Sequence, residues 1–408
     1  MTIDSQLTHA VLRVPPLIHF GWGSAASVPG IVSGLGRRVL VCSDMNLIGQ
    51  PDFALLHTTL VAAGCQVEIY SEGRPELPLS TIDAAVAAAS RATPDVILGY
   101  GGGSSIDLAK IVALLLTHPG PVSRYYGENK VPGPLLPVVA VPTTAGTGSE
   151  VTPVAVVADP EREFKVGVSS PWLIPAAAVV DPALTRGCPT RVRAHSGADA
   201  LAHSLEALTA GHRTPTWTVD LPVFVGSQRL GNSLALEAAA SIGPNLRRVV
   251  ADAANEPALT AMSYGSLCAG MAFGTSGTHL GHALQYSIGA ATHTSHGLGV
   301  GLLLPYVLEA TRPVCDDRLA QAAAAWGIEG PDPAGQVIDE VVAILAGAGI
   351  PRTLADIGLE RRELPRLAEQ AARFERLVAN APILADDEVL LAILHAAWSG
   401  DRPLARRR

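Results

Sequence analysis

The alternation of two apolar patterns along residues 37–118 constrains this chain more than any other feature. RRVLVCSD (37–44), CQVEIYSEG (65–73) and PDVILG (94–99) are short β-branched runs, whereas FALLHTTLVAAG (53–64), TIDAAVAAASRA (81–92) and IDLAKIVALLLTH (106–118) carry helical spacing. Strands interrupted by helices read as βαβ units. They predict a parallel sheet covered by helices, with ligands at the carboxyl ends of the strands. LPVVAVPTTAG (136–146), TPVAVVAD (152–159) and AAAVVDP (176–182) extend the strand-rich texture to about residue 182. After Pro189 the pattern becomes helical, in NSLALEAAASIGPNLRRVVAD (232–252), PALTAMSYGSLCAGMAF (257–273), PAGQVIDEVVAILAGAG (333–349) and DEVLLAILHAAWSG (387–400). A chain of 408 residues exceeds what one core usually sustains. The expectation is an α/β domain over residues 1–188 and an all-helical domain over residues 189–408.

Composition excludes several classes. Hydrophobic residues at 48% and charged residues at 16% fit a large globular protein rather than a disordered or fibrous one. A formal net charge of −8 argues against a nucleic-acid partner, since the only basic run is the terminal ARRR at 405–408. No uninterrupted apolar run approaches the ~20 residues of a membrane helix, and the N-terminal segment lacks the pattern of a signal peptide, so neither a membrane nor export is expected. Cys42, Cys65, Cys188, Cys268 and Cys315 are odd in number and form no CxxC pair, so neither a disulfide framework nor a thiolate metal site is suggested, and a reducing, cytoplasmic setting is expected.

YGGGSSIDLAK (100–110) follows a strand and opens a helix. Consecutive glycines let the backbone approach a ligand closely, and free amides at a helix start favour an anionic phosphate. The plainer alternative is a tight strand-to-helix turn. It is not the Rossmann fingerprint, because Ile106 stands where the last glycine would be. Asp44, closing the strand RRVLVCSD, precedes the glycines; an acid there accepts from ribose hydroxyls and repels a 2′-phosphate, favouring NAD over NADP. Its plain alternative is a helix N-cap. PTTAGTGSEVTP (142–153) adds hydroxyls and flexible backbone after another strand.

GADALAHSLEA (197–207) places Asp199 and His203 four apart, hence on one helical face. A capped helix with an ordinary histidine would look the same. GTHLGHALQYSIGAATHTSHG (277–297) changes the balance by concentrating His279, His282, His293 and His296, in a chain with 12 histidines. Two of these with Asp199 and His203 would make a one-carboxylate, three-imidazole set suited to Fe2+, Zn2+ or another divalent ion. His282 and His296 are 14 residues apart, about 21 Å along a straight helix, so the chain must turn between them to share one ion. Gly289 and the polar THTSHG permit that turn, and Ser295 reads as the start of a new helix headed by His296. Spacing excludes neither His279 nor His293 as a ligand, an orienting donor or a surface residue.

These residues resemble the iron-containing (group III) alcohol dehydrogenases. GGGSSIDLAK resembles the GGGSxxDxAK signature, PTTAGTGSEVTP the PTTxGTGSE segment, ADALAHSLEA the DAxxHxxE helix, and HALQYSIGAATHTSHG the block with two histidines 14 residues apart. The resemblance implies the dehydroquinate synthase-like fold of that family, with NAD and a divalent metal, Fe2+ foremost. It implies Asp199, His203, His282 and His296 as metal ligands. It further implies Gly102, Gly103, Ser104 and Asp107 of the signature, Thr143, Thr144 and Thr147, Lys165 and Asp44 as cofactor contacts, and Val154 and Phe273 as substrate-lining residues. One departure stands out. Many members carry a second histidine four residues after the third ligand to relay the alcohol proton, and this chain has Tyr286, whose phenol, with a pKa near 10, is a poorer shuttle at neutral pH.

The implied reaction passes hydride between nicotinamide C4 and a small alcohol or aldehyde whose oxygen the cation polarises, with His282 and Tyr286 as catalytic residues and the proton arriving through the Tyr286 region or solvent, in a cytoplasmic homo-oligomer, a dimer or larger. Rivals on the same architecture are a dehydroquinate synthase-like lyase, a glycerol dehydrogenase and a metal-free maleylacetate reductase. A non-dehydrogenase metal hydrolase uses similar ligands but has no need of the GGGSSIDLAK turn.

Overall fold

The computed structural model describes residues 9–402 apart from 163 and 219, so the basic run at 405–408 lies outside the described residues. The chain divides into two units, Arg13–Cys188 and the chain from Pro189 onward, and residues 9–12 group with the latter.

The first unit contains strands β1 (Ile18–Phe20), β2 (Arg38–Cys42), β3 (Gln66–Tyr70), β4 (Val96–Gly101), β5 (Gly127–Glu128), β6 (Val138–Pro142), β7 (Val154–Val157), β8 (Val166–Ser169) and β9 (Ala177–Val180). Its helices are α1 (Val28–Leu35), α2 (Met45–Ile48), α3 (Pro51–Ala62), α4 (Leu79–Ala92) and α5 (Gly103–Thr117). Six strands form a parallel sheet in the order β1-β9-β6-β4-β2-β3. β4 and β6 are buried at every position, as continuous apolar runs must be when helices cover both faces. Leu40 and Ile97 pack with Leu108, Ile111 and Val112 of α5, whereas Val39, Val41 and Leu98 pack with Val32 of α1 and Phe53 and Leu60 of α3. TPVAVVAD leaves this sheet. It supplies β7, which pairs antiparallel with β8 in a small sheet of order β5-β8-β7.

Register explains where the candidate cofactor residues gather. Cys42 of β2 pairs with Gly99 of β4, and Gly101 of β4 with Pro142 of β6. The carboxyl ends of three adjacent strands therefore carry Asp44, the glycine turn and Thr143–Thr147 side by side, where open α/β sheets bind ligands.

The second unit is built from α6 (Thr190–Thr209), α7 (Arg229–Ala251), α8 (Glu256–Ser276), α9 (Leu280–Thr292), α10 (His296–Ala325), α11 (Pro333–Gly347), α12 (Leu364–Ala372), α13 (Glu375–Ala379) and α14 (Asp387–Ser399). α6 packs on α7, α8 and α10, and α9 packs on α10 and α12. Every residue of α6 from Gly197 to Thr209 is buried. A helix buried on all sides holds its polar residues inside the core, where each needs a partner. α10 corrects one expectation: by length and composition it is apolar enough to cross a membrane, although no unbroken apolar run suggests it. Glycines and an occasional polar residue interrupt the run without lowering its mean hydropathy enough. With 72% of its apolar stretch buried inside the protein, α10 fills a core.

Candidate metal centre and nucleotide turn

At the end of β4, Gly101 has φ 148° and Gly102 is the N-cap of α5 with no side-chain cap. The first amides of α5 are thereby left for an external acceptor, and the helix dipole favours an anion. A Cβ on Gly103 would lie 2.8 Å from Thr147 Cγ2 and 2.9 Å from its Oγ1, so the turn and the threonine loop approach each other only because a side chain is missing. Thr143 N–H donates to Gly101 O at 2.9 Å, and Thr144 lies 3.5 Å from where a Cβ of Gly102 would stand. Gly102, Gly103, Thr143, Thr144 and Thr147 thus come together as a backbone cradle that fits a pyrophosphate. Ser104 Oγ at its rim accepts from Glu76 N–H at 3.2 Å.

The remaining residues expected near a cofactor are held by the protein itself. Asp44 caps α2, its Oδ1 accepting from Asn46 N–H at 2.8 Å and Leu47 N–H at 3.2 Å, so the plain N-cap alternative is realised at the end of β2. Lys165 Nζ pairs with Glu76 Oε1 at 2.7 Å. Asp107, grouped with the cofactor contacts through the signature, points one turn into α5 and accepts from Ser149 Oγ at 2.5 Å and Val156 N–H at 2.9 Å. Lys110, on the same helix face and fully buried, donates to Thr152 O at 2.9 Å and to Val154 O at 2.7 Å. Together they tie the segment after the threonine loop to α5. Burial pushes the Lys110 ammonium down to about 8 against the pull of Asp107 and Glu150, and pushes the Glu150 carboxyl up to about 7.

In the helical unit, Asp199, His203 and His282 are 3%, 5% and 4% exposed and form a cluster able to hold a metal ion. The Nε2 atoms of His203, His282 and His296 lie 3.5, 3.8 and 3.7 Å from one oxygen, Asp199 Oδ1. Such separations are too long for hydrogen bonds and close to the ~3.4 Å between neighbouring donors around an ion held tetrahedrally at about 2.1 Å. His282 Nε2 is buried without a hydrogen-bond partner among the described residues, which fits a lone pair reserved for a cation. Three donors from α6 and α9, Asp199, His203 and His282, therefore fit a divalent ion, and His296 at the start of α10 approaches the same carboxylate oxygen.

Glu206 is the residue that the sequence reading left without a role. It follows His203 by three positions and Asp199 by seven, hence on the same face of α6, and it is 1% exposed. Its carboxylate accepts from His282 Nδ1–H at 2.6 Å, Gly281 N–H at 2.6 Å and His279 N–H at 3.0 Å. Burial raises such a group, but the His279 and His282 rings and the donated hydrogen bonds outweigh it and hold the carboxyl down at about 2. With Nδ1–H committed to Glu206, the lone pair of neutral His282 is at Nε2, facing Asp199.

The other two histidines do other work. His279 is fully buried at the N-terminus of α9; Thr209 Oγ1 donates to Leu205 O and so accepts from His279 Nε2–H at 2.9 Å. Burial pushes its pKa down. His293 is exposed, ends α9 with φ 55°, and turns the chain toward α10. Gln285 spans that turn through Thr294 O at 3.5 Å, and Ser295 Oγ, at the N-cap of α10, bonds His195 Nδ1 of α6 at 2.7 Å. Gly297 completes the approach. A Cβ there would lie 2.1 Å from His195 O and 3.1 Å from Asp199 Cβ, so glycine lets α10 rest directly on α6 and brings His296 to Asp199.

Aromatic rings flank the imidazoles. Phe273 of α8 stacks on His203 at 4.0 Å and 17°, and Tyr286 of α9 stacks on His296 at 5.6 Å and 25°. Val154 starts β7 in the other unit and is partly buried.

Comparison with known proteins identifies the family. Residues 15–182 match the model of the iron-containing alcohol dehydrogenase family, and residues 193–398 match that of the Fe-containing alcohol dehydrogenase family C-terminal region. The chain is 34% identical over 395 residues to long-chain-alcohol dehydrogenase 1 of Geobacillus thermodenitrificans, covering 95% of this chain and 96% of that protein. It is 31% identical to the sulfoacetaldehyde reductase of Bilophila wadsworthia, covering 94% and 97%. Among solved structures it superposes on 1,3-propanediol oxidoreductase with a TM-score of 0.87 at 28% identity, covering 98% and 100%. The chain belongs to the iron-containing alcohol dehydrogenase family of alcohol and aldehyde oxidoreductases.

Proposed function

We propose that this protein is a metal-dependent, NAD(H)-linked alcohol dehydrogenase and aldehyde reductase acting on a small alcohol or aldehyde. The observation that carries the reading is the convergence of three imidazole Nε2 atoms on Asp199 Oδ1, with Glu206 orienting His282. Asp199, His203, His282 and His296 are the proposed ligands of a divalent ion, Fe2+ in keeping with the family, with Zn2+ or another divalent ion able to use the same donors. When bound, the cation supplies Lewis acidity that lowers the pKa of an alcohol hydroxyl or polarises a carbonyl, and nicotinamide C4 exchanges the hydride. Gly102, Gly103 and Ser104 cradle the pyrophosphate, Thr143, Thr144 and Thr147 lie along the cofactor, and Asp44 meets the adenosine ribose through what its capping role leaves available. Lys165 reaches a ribose once it leaves Glu76. Tyr286, beside His296, passes the alcohol proton to solvent.

The proposed assembly is a homo-oligomer formed through the edge strand β1, beside exposed Leu17, and the proposed setting is the cytoplasm, in keeping with five free cysteines. The decisive experiment pairs elemental analysis of the purified protein with absorbance at 340 nm, using NAD and NADP against short, long and aromatic alcohols. Bound metal with NAD-linked turnover is expected. Turnover that survives removal of all metal would overturn the metal-dependent reading.

A further inference from the structure

The departure at position 286 has a structural counterpart outside the four motifs. Tyr286 leans on His296 and also packs against Phe374, with ring centroids 5.1 Å apart and 42° between planes. Phe374 precedes α13, in a part of the chain with no role in the site described so far. On another side of the same cluster Phe273 stacks on His203. With 6 Phe and 7 Tyr in 408 residues, three of these rings border one metal-binding group. All three are only partly buried, whereas Asp199, His203 and His282 beneath them are buried. The rings therefore form the accessible border of the cluster.

We propose that Tyr286 and Phe374 form an aromatic wall that selects alcohols and aldehydes carrying an aryl group or an extended alkyl chain over short ones. This rests on the oxidoreductase reading above and names the substrate class of that site. A ring or chain carried by the substrate stacks on the Tyr286–Phe374 pair while its hydroxyl or carbonyl end points to the imidazoles. Contact of this kind is worth about 2- to 10-fold in affinity per aromatic partner. The wall needs the rings and not the phenolic hydroxyl. Tyr286 is then a specificity-determining ring in addition to any part its hydroxyl takes in proton movement.

The test compares kcat/KM for benzyl alcohol and 1-hexanol with that for ethanol in the metal-loaded wild type, Phe374→Ala, Phe374→Leu and Tyr286→Phe. Expected is a wild-type preference for benzyl alcohol and hexanol, and a fall of the benzyl-to-ethanol ratio by about 5-fold or more in Phe374→Ala. Phe374→Leu keeps the hexanol preference and loses part of the benzyl preference. Tyr286→Phe lowers turnover of all three together and leaves the ratios within about 2-fold. A readout independent of turnover is the 19F line of 4-(trifluoromethyl)benzyl alcohol, which broadens with wild type and Tyr286→Phe but not with Phe374→Ala. The 2,2,2-trifluoroethanol line responds equally to all of them. Retained metal and an unchanged near-ultraviolet dichroism spectrum show that each variant is folded. Ratios and line widths unmoved by Phe374→Ala, with ethanol still oxidised, overturn the wall and leave the oxidoreductase reading standing. Failure of every alcohol and aldehyde to react in the metal-loaded protein overturns both.

Discussion

The two candidate ligand regions of this protein are built on opposite plans. Around the glycine turn the working groups are backbone amides and small side chains, gathered because β4 and β6 are neighbours and Gly101 pairs with Pro142. Around Asp199 the working groups are side chains from three helices, buried except for the half-buried His296, and held in place by Glu206 and a glycine contact between α6 and α10. The first plan tolerates most changes that leave the backbone unobstructed. The second depends on each side chain individually, because a buried polar group that loses its partner costs more than an exposed one.

The sharpest way to break the contrast is His282→Ala. Losing one of four donors and the group that Glu206 orients is expected to abolish stoichiometric metal binding and lower kcat/KM by about 10³-fold or more. Elemental analysis and absorbance at 340 nm check this; unchanged metal content and turnover would remove His282 from the site. Glu206→Gln keeps the size of the side chain but withdraws its charge from His282. Metal affinity should drop about 10- to 100-fold in a chelator competition, with thermal stability less affected than by His282→Ala.

On the nucleotide side, Gly103→Ala puts a methyl group 2.8 Å from Thr147 Cγ2. KM for NAD should rise by about 10-fold while metal content stays at the wild-type value, since the cradle and the metal cluster belong to separate units. A parallel loss of metal would show that the two plans are not independent. The smallest effect concerns pH. Burial raises the Glu150 carboxyl from 4.5 to about 7, so the folded protein holds this proton more tightly than the unfolded chain. The stability it contributes is complete below about pH 4.5 and is lost as pH rises through 7. Melting curves of wild type and Glu150→Gln at pH 5 and pH 7.5 should therefore show the wild type losing more on the rise. Lys110, pushed down to about 8, acts with the opposite sign in the higher window from about 8 to 10.5, which leaves this comparison undisturbed.

Which parts of both regions could be read in advance follows from range. Residues 100–110 are contiguous, and strand, glycines and helix start succeed one another there, so the glycine turn follows from local spacing, whereas Thr143, Thr144 and Thr147 reach it through the β4–β6 pairing. Asp199 and His203 share a helix face at i and i+4, which periodicity also specifies. Glu206 lies on that face too. Its function stayed hidden because its partners, His279, Gly281 and His282, are more than seventy positions away. Asp44 and Asp107 each accept two hydrogen bonds within the protein; the N-cap of Asp44 is legible as a local alternative, whereas the partners of Asp107, Ser149 and Val156, lie more than forty positions away.

By itself, the order of residues determined that a parallel α/β unit would be followed by a helical one, that a phosphate-sized turn would open α5, and that one acid and one histidine would project together from α6. Those features depend on contacts within a turn or two of the chain, where residue type sets geometry directly. Residue spacing left His279, His282, His293 and His296 open, and only the family resemblance singled out His282 and His296; the physical reason for the difference lies in the tertiary structure. His279 is drawn to Thr209 and the Glu206 side of α9, His293 is left outside in a left-handed turn, and only the close crossing of α10 over α6 at Gly297 carries His296 to the Asp199 carboxylate. Four imidazoles of identical chemistry receive different roles because packing between distant segments, which no local spacing encodes, sets what each ring nitrogen faces.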